Sequence, residues 1–61
     1  MKVSELKKFL KKHGCYLVRE GTNHEKWFSP KGNSYFMIPR HNSKELPTGT
    51  VQAILKQSGL S

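Results

Sequence analysis

The sequence predicts an α+β fold in the order α-β-β-β-α, with two helices packed on one face of a three-stranded antiparallel sheet. Three observations carry that prediction. Apolar residues at helical spacing open and close the chain. Between them lie short segments rich in β-formers. Turn signals separate those segments by too few residues for anything but antiparallel neighbours.

The first helix opens the chain. Val3, Leu6, Phe9 and Leu10 recur at helical spacing, and Lys7, Lys8, Lys11 and Lys12 are read as the opposite, polar side. Ser4 is the expected N-cap, and Gly14 the expected stop, because glycine accepts positive φ without a Cβ clash. The late lysines suit the negative end of the helix dipole. His13 reads as a helix-end residue by the same argument.

Residues Cys15 to Glu20 form the first predicted strand, with Tyr16, Leu17 and Val18 as β-formers. Gly21-Thr22-Asn23 is a turn signal. His24 to Ser29 is the second strand; alternation places His24, Lys26 and Phe28 on one face and Glu25 and Trp27 on the other. Pro30-Lys31-Gly32-Asn33 reverses the chain into a third strand, Ser34 to Ile38. Pro39 ends that strand by removing a ladder donor, and a polar loop runs to Lys44. The second helix begins between Pro47 and Thr50, carries a narrow stripe of Val51, Ile54 and Leu55, and ends at Gly59. One face of the sheet is left for solvent or a ligand.

Sixty-one residues make one small domain, 1–61. Such a domain buries about 60% of its unfolded surface, which leaves room for a thin core and no deep cleft. Eleven Lys and Arg stand against four Glu, a net charge of +7. An excess of that size in so short a chain points to a polyanionic partner, nucleic acid above all. A single cysteine, Cys15, excludes an internal disulfide, and no Cys/His cluster has zinc-ligand spacing. No apolar run approaches a membrane span, and no apolar leader follows the N-terminus, so no membrane partner and a cytoplasmic location are expected.

The helix, three strands, helix order is similar to that of the double-stranded-RNA-binding domain, which reads RNA by shape and backbone contact. The residues carry a closer match. SELKKFLKKHG, GTNH, IPRH with its polar loop, and AILKQSGLS occur in order over nearly all 61 residues. Together they resemble the HicA family of mRNA interferase toxins. The resemblance implies a chain that cleaves messenger RNA, depends on one histidine of the second strand, here His24, and is neutralised by a HicB-like antitoxin that covers this histidine. Thr22 stands where the family often has serine, which keeps the hydroxyl.

The residues themselves allow that chemistry. Histidine has both protonation forms near neutrality, so His24 suits a proton donor or acceptor. A lone histidine beside a turn is usually a surface residue, and it is the resemblance that makes His24 the catalytic candidate. The four acids, Glu5, Glu20, Glu25 and Glu45, are scattered, so metal-independent acid–base cleavage without a cofactor is expected. Phosphates need a cationic bed. Its candidates are Lys26, on the face of His24, the helix-one residues Lys7, Lys8 and Lys11, and Arg40, Lys44 and Lys56, with Thr22 and Asn23 as turn donors. His41 is either a second proton-transfer group or a loop cap. Trp27 is either a base-stacking residue or the anchor of the core. Messenger RNA and an antitoxin protein are the expected partners, with no DNA contact by this chain alone. The alternative is a double-stranded-RNA-binding module without catalysis, which would retain RNA in a salt-dependent way and leave it intact.

Overall fold

The computed structural model describes residues 1–61. The elements run α1 (Val3–Lys12), β1 (Tyr16–Glu20), β2 (His24–Ser29), β3 (Ser34–Pro39) and α2 (Thr48–Gln57). The strands form one antiparallel sheet in the order β1-β2-β3. The predicted α-β-β-β-α fold is therefore the observed one.

Helix α1 starts one residue before Ser4, which is not the N-cap; Lys2 occupies that position. The reason lies in the loop before α2. The amide of Val3 donates to the Lys44 carbonyl at 2.9 Å and that of Ser4 to the Asn42 carbonyl at 3.0 Å. Loop carbonyls thus satisfy the first free donors of the helix, at Val3 and Ser4, and draw the helix start back to Val3. Glu5 accepts from the Lys2 amide at 3.0 Å, and the Met1 ammonium pairs with Glu45. The N-terminus is in this way sewn to the segment leading into α2. At its other end α1 closes in a Schellman pattern. Gly14 has φ +90, and the amide of Cys15 donates to the Leu10 carbonyl at 2.9 Å.

The core is a single cluster: Val3, Leu6 and Leu10 from α1, Trp27 from β2, Phe36 and Ile38 from β3, Ile54 from α2, and Cys15 and Leu46 from the connections. Trp27 is 1% exposed, so it anchors the core and offers no surface to a base. Strand β2 alternates as predicted, with Glu25, Trp27 and Ser29 buried and His24 and Lys26 exposed. Strand β1 differs. All five of its residues are exposed, and the helices cover β2 and β3 only.

Helix α2 is held partly by backbone. Gly32, in the β2–β3 turn, and Gly59, after α2, lie so close that a Cβ on Gly32 would stand 2.6 Å from the Ser58 carbonyl oxygen. Ser29 donates to that carbonyl at 2.5 Å, and Ser34 to the Gln57 carbonyl at 2.6 Å. These contacts fix the C-terminal end of α2 against the far end of β3. Its N-terminal turn then falls beside Pro39, and so beside His24, the partner of Pro39 in register.

Candidate active site

His24 is the first residue of β2, exposed, and follows a tight turn. The Gly21 amide donates to the His24 carbonyl at 2.8 Å. A Cβ on Gly21 would lie 2.9 Å from that same oxygen, so the closure needs glycine. Arg40 clasps the turn from the end of β3. Its amide donates to the Asn23 carbonyl at 3.0 Å, and its guanidinium to the Gly21 carbonyl at 3.3 Å.

Two shallow depressions meet at His24. One is lined by Arg19, Thr22, Asn23, Lys26 and the exposed Met37, among others. The second runs toward α2 and is lined by Pro39, Gly49, Thr50, Ala53 and Gln57. The first turn of α2 has no side-chain cap and no acid. Its dipole therefore adds positive potential on this side of the histidine.

Of the residues singled out from the sequence, Thr22, Asn23 and Lys26 share a depression with His24, and Arg40 braces the same turn. Others are not gathered there. Lys8 and Lys11 line a separate depression on α1 with Lys7, Ser4 and Asn42. Lys44 and Lys56 line neither depression at His24, nor does His41, whose carbonyl accepts from the Lys44 amide in a turn.

The placing of Lys7 on α1 is corrected. Lys7 does not lie on the polar side of α1. Its side chain is 14% exposed, and its ammonium lies 2.9 Å from Glu25 Oε1 and 2.7 Å from Asn42 Oδ1. At 100° per residue it falls only about 40° from Val3, on the flank of the apolar stripe. Glu25, itself 5% exposed, also accepts from the Trp27 indole at 3.0 Å. Burial pushes the Glu25 carboxyl up, but the hydrogen bonds from Lys7 and Trp27 and the positive charges of Lys7 and Arg40 outweigh it. The carboxyl titrates below its ordinary range.

Sequence reading missed Arg19. Strict alternation from Tyr16 would put Val18 beside Lys26. Instead Tyr16 pairs with Phe28, Leu17 with Trp27 and Arg19 with Lys26, so Val18 is the extra residue of a bulge. The bulge turns Arg19 onto the face of Lys26, in the depression beside His24. No local signal marks such an insertion. Nowhere are three or more His, Cys, Asp or Glu placed to hold a metal ion, and no helix is long and apolar enough to cross a membrane.

Comparison with known proteins gives three matches. The family model described as HicA toxin of bacterial toxin-antitoxin matches residues 3–60. A probable mRNA interferase HicA 2 of Photorhabdus laumondii subsp. laumondii is 42% identical over 60 residues, 98% of this chain and 98% of that protein. A chain in the crystal structure of the E. coli HicAB toxin–antitoxin complex superposes with a TM-score of 0.85 at 35% identity. That match covers 98% of this chain and 100% of the other.

Proposed function

The chain belongs to the HicA toxin family, and on that premise we propose that it is a messenger-RNA endoribonuclease, the toxin of a toxin–antitoxin pair, with His24 as its proton-transfer residue. The relative named an mRNA interferase supports the activity, and the E. coli HicAB complex supports a HicB-type antitoxin as partner. The observation that carries the residue assignment is position. His24 is exposed where two depressions meet, with Lys26 and Arg19 on one side and the uncapped first turn of α2 on the other.

The chemistry follows from that placement. A phosphodiester lying across β2 has its negative charge met by Lys26 and Arg19. His24 takes the proton from the attacking 2′-hydroxyl or water, or gives one to the leaving 5′-oxygen. Thr22 and Asn23 lie in the same depression as polar donors to phosphate. Arg40 keeps the turn closed, and so keeps His24 at the mouth of the site. An antitoxin seated over both depressions would cover His24 and shut the enzyme off.

The test is cleavage of a defined messenger RNA in chelator by the antitoxin-free protein. The parent is expected to cut. His24→Ala is expected to lose about 10²- to 10⁴-fold in rate, the usual weight of a positioned acid or base, while its fold and antitoxin binding persist. An Ala variant that cuts at the parent rate overturns the assignment of His24. Intact RNA with both proteins favours the non-catalytic binder.

A further inference from the structure

We infer that the helix-free face of the sheet is a stacking platform for unpaired bases of single-stranded RNA, leading the strand to His24. The inference rests on the RNA substrate proposed above. It adds a site, a ligand chemistry and a direction.

Three aromatic side chains form a row across all three strands on this face. Tyr16 and Phe28 are cross-strand partners with ring centroids 5.7 Å apart, and Phe28 and Tyr35 are partners at 4.9 Å. Tyr16 is 52% exposed and Tyr35 59%. Next along β2 comes a row in which Lys26 pairs with a second cation, Arg19, on one side and with Met37 on the other. The Lys26 ammonium lies 4.6 Å from the Tyr35 ring centroid. His24 follows two residues further, on the same face. From Phe28 to His24 the strand rises about 13 Å. Rings, cations and the reactive histidine thus succeed one another along one strand.

A row of aromatics also steadies a sheet through cross-strand contact. That role needs neither rings open to water nor cations beside them. Here the two tyrosines give half or more of their surface to water, at the only sheet face the helices leave open, in a chain of net charge +7. Exposed rings flanked by Lys and Arg are the arrangement that binds single strands, because every base has a π-face while phosphates need cations. A duplex keeps its bases stacked inside and cannot use the rings, so the platform selects unpaired RNA. The charge complementarity favours a polyanion over an apolar protein surface.

The test measures binding in a His24→Ala background, which keeps the RNA whole. Fluorescence anisotropy compares an unstructured 12-mer RNA with a 12-base-pair RNA duplex. Tyr16→Leu and Tyr35→Leu are each expected to weaken single-strand binding by about 5- to 100-fold and to leave duplex binding unchanged. Tyr16→Phe and Tyr35→Phe keep the ring and are expected to bind like the parent. Circular dichroism establishes that each variant is folded, and a Leu variant that unfolds is replaced by Thr at the same position, a β-former without a ring. Leu or Thr variants that bind the single strand at parent affinity overturn the platform. So do variants that lose single strand and duplex equally, or that lose only antitoxin binding. If the protein with His24 intact leaves RNA uncut, the functional reading fails instead, which this binding assay does not decide.

Discussion

The Lys7 ammonium lies 2.9 Å from the Glu25 carboxylate, and both side chains are nearly out of water. This pair joins α1 to β2 on the buried face of the sheet, at the residue that follows His24. Asn42 shares the same ammonium, so the loop before α2 is tied to the pair as well. Replacing Glu25 by Ala leaves a buried ammonium without its counter-charge. The expected loss is about 3–5 kcal/mol, a large share of the roughly 3–9 kcal/mol available to a domain of this size. Urea unfolding checks this, and an unchanged midpoint would show that the pair contributes nothing.

The same carboxylate predicts acid sensitivity. Its folded titration lies below its unfolded one, because the contacts favour the charged form. The stabilisation is therefore fully present above the ordinary carboxylate range, about pH 4–5, and is lost as pH falls through the lowered folded value. Thermal unfolding should show stability declining on acidification below pH 5, and Glu25→Gln should flatten that decline. An equal slope in the variant would place the sensitivity elsewhere.

Lys26 is the cation on the face of His24, and it shares a depression with it. If it meets one phosphate of a single strand, Lys26→Met should weaken RNA binding and reduce the slope of log affinity against log salt by about 0.7. Lys56→Met, on an exposed part of α2 outside both depressions, should leave the slope unchanged. Equal slopes for Lys26→Met and the parent would remove Lys26 from the RNA path.

Gly21→Ala should damage activity more than its size suggests. The added Cβ meets the His24 carbonyl at 2.9 Å, where the turn closes. Opening the turn costs about 1–3 kcal/mol, in the range for overpacking, and moves His24 relative to Arg19 and Lys26. Cleavage rate should fall further than stability explains, as read from single-turnover kinetics on protein shown to be folded. A rate loss no greater than the folded fraction accounts for would mean that the turn positions nothing.

Much of the fold is legible in the sequence because each element announces itself locally. Val3, Leu6 and Leu10 repeat at helical spacing. Pro30 to Asn33 reads as a turn without reference to anything else. Trp27 and Glu25 alternate against His24 and Lys26, which puts the histidine and Lys26 on one face of β2; the burial of Trp27 makes that face the outer one. What escaped depends on partners distant in the chain. Lys7 reads as a solvated lysine until Glu25, eighteen residues on, meets it inside. The Ser4 cap was displaced by carbonyls of Asn42 and Lys44. Tyr16, Phe28 and Tyr35 become a row only through strand register, and Arg19 joins the open face only through a bulge that nothing nearby in the chain foretells.

That bulge bears on how the free chain behaves at high concentration. β1 is an edge strand with every residue exposed, including Leu17 and Val18, and its outer backbone groups invite another strand. An unpaired residue at Val18 breaks the regular ladder, sharpens the local twist and denies an incoming strand a straight edge to copy. The residue that aims Arg19 at the site therefore also guards against edge-to-edge aggregation.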